Sequence, residues 1–254
     1  MKLHVIGSSS SGNCYVLDNG KEALVIECGI AFKHVQKAMD FDISRIAGAL
    51  VSHEHGDHAK HVAKFVDARI PCYMSEGTRE ALNLGGNRLV CGMKPGGIYH
   101  VGNFKVQGFE TEHDSADPFG FLIYHPECGM TLFATDTYYL AYTFAGLNNI
   151  LIECNYRQDI LEANIASGKL NPALRNRTIK SHMSFDTCKE TLLANDLSKV
   201  NNIVLIHLSS GNADAAAFRD GIQKATHKTV HVAEPGMQIL FNKTHFNSNR
   251  HEKD

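Results

Sequence analysis

Apolar positions along the chain cluster in short runs separated by small and polar residues. Three such runs open it, at residues 3–6, 14–17 and 23–28, and read as strands. Residues 7–13 (GSSSSGN) supply the turn after the first, and Asn19-Gly20 carries a hairpin signal for the second. From 32 to 41 the spacing of Phe32, Val35 and Met39 changes to that of a helix. Residues 47–51 form an apolar strand that runs directly into Ser52-His53-Glu54-His55-Gly56-Asp57-His58. A helix to Val66, a strand over 71–74, a helix over 78–84 and hairpin-like segments at 98–111 and 119–135 are expected next. Residues 150–154 and 203–208 read as buried strands, with helices between them and after Asn212. A last strand is expected over 230–241, bent at Pro235-Gly236, followed by a polar tail over 243–254. Strands come first, then strands and helices alternate through both halves. That order predicts two helix-covered sheets, an α/β sandwich, in one two-lobed domain over residues 1–242.

Composition narrows the classes. A chain of 254 residues, 43% apolar and 20% charged, buries enough surface for a packed core and is not disordered throughout. No apolar run approaches the ~20 residues of a membrane span, and the first residues lack a signal peptide's hydrophobic stretch. A net charge of −2 excludes a broadly basic nucleic-acid binder, so any site for a polyanion must be local. Seven cysteines, spread singly with no Cys-x-x-Cys pair, favour a reducing cytoplasm over a disulfide framework or a cysteine zinc site.

The 15 histidines carry the chemistry. In an extended segment residues i and i+2 point the same way, so His53 and His55 can share one ion. The chain then turns at Gly56, and Asp57 and His58 can face a neighbouring ion. Imidazole and carboxylate donors without thiolates suit zinc and tolerate manganese or iron. Further candidates recur just past apolar strands: His113, Asp136 and His207. Each alone would ordinarily be a surface or edge residue. Together with the first string they offer enough ligands for two ions and a bridging carboxylate, the arrangement that activates water against a phosphate ester or an acyl carbon.

These residues, in this order, resemble the metallo-β-lactamase superfamily over nearly the whole chain. The resemblance implies a four-layer αββα sandwich and two divalent ions, zinc or manganese. His53, His55 and His113 would hold one ion, Asp57, His58 and His207 the other, with Asp136 bridging. Within the superfamily the chain is similar to the YycJ (WalJ)-type cytoplasmic exonuclease branch. The similar stretches are GSSSSGNC at 7–14, Ser52 to His58, Gly77-Thr78, HDSADPFG at 113–120, Thr135-Asp-Thr137, Glu153-Cys-Asn-Tyr156 and His207-Leu-Ser209. The branch's His-Leu-Ser segment reads His182-Met183-Ser184 here, so roles for His182 and Ser184 carry over. Two departures stand out. Glu27-Cys28-Gly29 replaces the family's Asp before a small residue and Gly, and we read Glu27 as hydrogen-bonded support for a metal-binding histidine. Phe185-Asp186-Thr187 replaces a polar run.

The function implied is phosphodiester hydrolysis by a nuclease acting on DNA or RNA, with exonuclease-like action. Water activated near Asp57 and Asp136 would attack phosphorus, and His182 or water would protonate the departing oxygen. Lys169, Arg175, Arg177 and Lys180 precede His182 with no acidic residue between Ala163 and Phe185, so Arg175, Arg177, Lys180 and Ser184 are candidate phosphate contacts. Alternatives are a phosphodiesterase for small or cyclic nucleotides, an acyl or thioester hydrolase, and a non-catalytic metal-binding scaffold. A homodimer is compatible with the sequence, which shows no interface signature. The turn at 7–13 lacks the lysine of a phosphate-binding P-loop and reads as a tight turn near the site.

Overall fold

The structure, a computed structural model, describes residues 1–244; the expected tail lies, from residue 245 on, outside the described residues. β1 (Lys2–Gly7), β2 (Cys14–Asp18) and β3 (Ala23–Ile26) form an antiparallel meander. α1 (Phe32–Ala38) then returns the chain to β4 (Ile46–Leu50), which lies parallel to β3. After α2 (Gly56–Ala59) and α3 (Val62–Asp67), β5 (Cys72–Ser75), α4 (Glu76–Ala81) and β6 (Val90–Met93) extend the parallel side. The second half repeats this plan. β7 (Ile98–Val101), β8 (Phe104–Glu110), β9 (Phe119–His125) and β10 (Gly129–Ala134) form an antiparallel meander. β11 (Leu147–Glu153) pairs parallel with β10. The helices α5 (Gln158–Ala166), α6 (Pro172–Ser181) and α7 (Phe185–Leu193) lead to β12 (Asn202–Ile206), and α8 (Ala215–Thr226) leads to β13 (Thr229–Val232), both strands again parallel.

The expected last strand is two strands. β14 (Gln238–Leu240) pairs antiparallel with β1, whereas β13 belongs to the other sheet. Pro235 removes a ladder donor and Gly236 adopts φ +88°, so the chain turns there and changes sheets. The result is two seven-stranded sheets, ordered β14-β1-β2-β3-β4-β5-β6 and β13-β12-β11-β10-β9-β8-β7.

Strand alternation sets the layers. Tyr15, Leu17, Leu24 and Ile26 face Phe104, Phe121 and Phe133 across the gap between the sheets. Val16 and Val25, from the same strands, face outward onto Val35 of α1 and Phe65 of α3. On the far side Leu132, Ile152 and Leu205 pack under Leu192 of α7 and Phe218 and Ile222 of α8. The order is helix, sheet, sheet, helix. β2 and β3 are therefore covered on both faces, which is why they read as continuous apolar runs. Among the described residues no helix is long and apolar enough to cross a membrane.

Candidate metal centre

Parallel strands present their carboxyl ends along one edge, where side chains from several strands converge. Glu27 follows β3, Val51-Ser52-His53 continues β4, Asp136 lies just past β10, Glu153 ends β11 and His207 follows β12. Glu27, Asp136 and His207 adopt φ of 71°, 44° and 54°, left-handed conformations that non-glycine residues enter only at a cost of about 1–3 kcal/mol each. Three of the strained positions of the chain thus coincide with this edge. A close approach holds the remaining loop: a Cβ on Gly29 would stand 1.7 Å from the Asp57 carbonyl oxygen, so glycine is what lets α2 sit against the end of β3.

Three imidazole nitrogens converge first. His55 Nδ1 lies 3.1 Å from His53 Nε2 and 3.1 Å from His113 Nε2. The other nitrogens of two of these rings are occupied. His113 Nδ1–H donates to the Ser181 carbonyl at 2.9 Å, and His53 Nδ1 lies 2.9 Å from Ser52 Oγ. The lone pair of His113 Nε2 therefore points into the cluster, and so does that of His53 Nε2 when Ser52 Oγ accepts from Nδ1–H. A second set lies beside it: Asp57 Oδ2 is 3.3 Å from His58 Nε2 and 3.3 Å from His207 Nε2. Asp136 stands between the sets. Its Oδ2 is 3.9 Å from His53, 3.7 Å from His113 and 3.4 Å from His58, and its Oδ1 is 3.6 Å from His207.

The donors fit divalent ions. Nitrogens bound tetrahedrally at about 2.0–2.1 Å stand about 3.3 Å apart, close to the spacing within the first set. Charge points the same way. Glu27 and Glu153 are fully buried and Asp136 nearly so, Asp57 is partly buried, and among the described residues none of the four pairs with a lysine or arginine. A buried cluster of carboxylates needs cations, and among the described residues histidines are the ionisable bases that pair with it. Burial would push the His58 and His207 rings towards neutrality, yet the facing carboxylates, Asp136 foremost, overcome it: His58 is held protonated well above its usual range and His207 rises to about 10. Burial opposes ionisation of Asp136 as well, but His207 and His58 outweigh it and hold its pKa far below the usual range. His53 moves the other way, driven down by burial and by His58 beside it. The clusters are compatible with a dinuclear divalent metal site.

Supporting contacts tighten both sets. Glu27 Oε2 stands 3.3 Å from His58 Nδ1 and its Oε1 accepts from the Ser52 amide at 3.2 Å, so it supports the histidine through charge and not through the expected hydrogen bond. The turn at 7–13 does touch the site: Ser8 Oγ accepts from the His207 amide at 2.9 Å, and the Asn13 amide nitrogen lies 3.2 Å from His58 Nε2. Residues of the similar stretch 153–156 that were given no role from the sequence also matter. Asn155 donates to the His207 carbonyl at 2.8 Å. Glu153 accepts from the Thr137 and Met183 amides at 3.0 and 3.1 Å and binds His182 Nδ1 at 2.6 Å. Its signal was available: a lone charge directly after the apolar run 150–152, as at other site positions. Burial works against protonation of His182, but Glu153 prevails and its pKa is raised. The His182 ring stacks at 5.4 Å on that of His207, so it borders the second set.

The basic segment differs from expectation in its charge and not in its helicity. It is helical, with Asn171 capping α6 and Pro172 in its first turn, and neighbouring elements supply the counter-charges missing from the local sequence. Arg175 pairs with Glu162 of α5, and Arg177 Nε lies 3.3 Å from Asp114 Oδ2. Lys180 is exposed. Ser184 caps α7, its Oγ accepting from the Thr187 amide at 3.1 Å.

Residues 9–129 match the family described as the metallo-beta-lactamase superfamily. Over those residues the chain is similar to the metallo-beta-lactamase superfamily, and its fold is the metallo-beta-lactamase fold. Among curated proteins, exodeoxyribonuclease YycJ of Bacillus anthracis is 26% identical over 232 residues, covering 84% of each chain. Exodeoxyribonuclease WalJ of Streptococcus pneumoniae serotype 2 is 26% identical over 233 residues, covering 83% of this chain and 82% of the relative. Among solved structures, the metallo-beta-lactamase fold protein YhfI of Bacillus subtilis superposes with a TM-score of 0.70 at 15% identity, covering 94% of this chain and 99% of that one. Human tRNase Z, short form, gives a TM-score of 0.62 at 15% identity, covering 95% and 99%. The two structures share the metallo-beta-lactamase fold seen here, with its two mixed sheets flanked by helices.

Proposed function

We propose that this protein is a metal-dependent phosphodiester hydrolase, a nuclease that cleaves DNA or RNA. The Glu153–His182 pair carries the reading. His182 belongs to neither three-residue set, although with Asp136, Glu153 and His207 it forms a further group whose donor atoms lie close enough to hold an ion. A buried carboxylate engages its Nδ1 and leaves Nε2 as the ring nitrogen beside the centre. An alkoxide departing from a phosphodiester is a strong base and needs a positioned proton donor, typically worth ~10²–10⁴-fold in rate. The similarity to two exodeoxyribonucleases over more than four fifths of the chain supports the same substrate class.

In this reading His53, His55 and His113 hold one ion, Asp57, His58 and His207 the other, and Asp136 lies between. Two divalent cations bound there would acidify water and neutralise charge on the phosphoryl oxygens, and zinc and manganese both suit the donors. The protein's own groups do the rest. Asp57 and Asp136 accept hydrogen bonds from the attacking water and orient it in line with the scissile bond. Glu153 keeps Nδ1–H of His182 engaged, and Nε2–H of His182 passes its proton to the departing oxygen. Among the described residues Lys180 has no ion-pair partner, whereas Arg175 and Arg177 must exchange Glu162 and Asp114 for a phosphate. That neutralisation favours a second reading, hydrolysis of small or cyclic nucleotides.

The deciding experiment offers protein loaded with manganese or zinc end-labelled DNA, RNA and cyclic mononucleotides in parallel. Strand cleavage that chelation abolishes is expected. Turnover confined to cyclic mononucleotides would establish the second reading, and hydrolysis of acyl esters alone would overturn both.

A further inference from the structure

The segment after Asp136 carries three aromatic rings at the surface. Tyr138, Tyr139 and Tyr142 are 44%, 52% and 41% exposed. Their exposure does not come from a loose loop. Thr137 Oγ1 accepts from the Glu112 amide at 3.0 Å and donates to the Tyr139 carbonyl at 2.7 Å. The Tyr138 amide donates to the Glu112 carbonyl at 3.2 Å. Leu140 is buried in the outer core, and the Phe144 amide donates to Asn195 Oδ1 at 2.7 Å. The Tyr142 ring stands edge-on to Phe109 at 5.9 Å. A pinned backbone thus holds three rings outward.

Their place is as telling as their exposure. Tyr138 is two residues from Asp136, so their Cα atoms lie within about 7.6 Å, and its backbone bonds to the neighbour of His113. A cleft of about 220 Å³ runs between this segment and α7, lined by Tyr139, Tyr142, Thr187, Glu190 and Thr191. That is smaller than the ~300–1,000 Å³ of pockets that engulf a ligand, and suits one planar ring. Both walls of the cleft begin at the candidate centre, one after Asp136 and the other after His182.

Charge alone does not hold a polyanion here. The net charge is −2, and Arg175 and Arg177 are neutralised. Aromatic faces bind bases without charge, and they do so whatever the base, because every base has a π-face. We propose that Tyr138, Tyr139 and Tyr142 form a stacking platform for unpaired bases flanking the scissile phosphate of a nucleic-acid strand. The proposal rests on the nuclease reading above. It assigns the protein single-stranded or frayed ends, with little sequence preference and a shallow dependence on salt.

Steady-state kinetics of the metal-loaded protein test it on single strands with normal bases and on strands abasic beside the cleavage point. In the wild type, removing the bases should raise KM about tenfold or more. Y139A and the triple variant Y138A/Y139A/Y142A should raise KM on the normal strand by a similar factor, with kcat kept, and gain no further rise on the abasic strand. The triple phenylalanine variant keeps the ring faces and should behave as wild type, which separates stacking from folding defects. Equal KM on both strands in the wild type, or an alanine variant with unchanged KM, overturns the platform while strand cleavage leaves the nuclease reading intact. Cleavage of no strand at all removes that reading and the platform with it. Conversion of a dimer to a monomer by the alanine substitutions would assign the rings to a contact between copies and overturn the proposal.

Discussion

Asp136 has four imidazoles within 3.9 Å, and its backbone is strained to put it there. Removing such a group takes away the charge that both ligand sets share. D136A and H55A are therefore expected to lose bound metal and turnover together, as elemental analysis and activity on the same preparation will show; full activity in either would contradict the shared site. His182 is predicted to behave differently. H182A should cut turnover of natural nucleotides by about 10² or more while leaving metal content intact and sparing much of the rate on an aryl ester. A nitrophenolate leaves without a proton, so equal losses on both substrates would mean that His182 orients phosphate and is not the acid. Glu27 supports His58 from behind, and E27A should weaken metal binding by about 10–100-fold, measured by competition with a chelator.

At the scale of elements, α7 separates two roles for Ser184. Its hydroxyl caps the helix, and loss of a cap costs about 1 kcal/mol. S184A should lower Tm by about 2–4 °C with kcat unchanged, whereas lost turnover at constant Tm would make Ser184 a substrate contact. The same scale shows what the sequence could reveal. His53 to His58 were legible as candidates because one strand end and one short helix place all four side chains, and local spacing alone decides their directions. Asp136 and His207 were legible because each directly follows an apolar strand. The counter-charges of α6 were not: Asp114 is 63 residues from Arg177 and meets it only in the folded chain, and Glu162, 13 residues before Arg175, lies one helix earlier and meets it only when α5 and α6 pack. Glu153 stood in one of the similar stretches but was given no role for the same reason: its partner His182 lies 29 residues on. The split of the last strand was half visible, since Pro235-Gly236 marks a bend, but only packing decides that the chain changes sheets there.

For the whole molecule, the centre ties the halves together: His53, His55, Asp57 and His58 come from the first sheet's side, and His113, Asp136 and His207 from the second. We propose that residues 1–242 unfold as one domain whose stability is linked to metal. Ions that bind only the folded state add RT ln(1 + [L]/Kd), about 2.7 kcal/mol at a hundredfold excess over Kd, so chelation should lower Tm and manganese or zinc should restore it. Two separate transitions in calorimetry would contradict the single domain. The central claim, that two ligand sets bind two ions, is tested most directly by elemental analysis of the reconstituted protein. Two divalent ions per chain are predicted for the wild type and fewer for H55A. A wild-type protein that turns over fully with one ion or none, or an H55A variant that keeps two, would contradict the account.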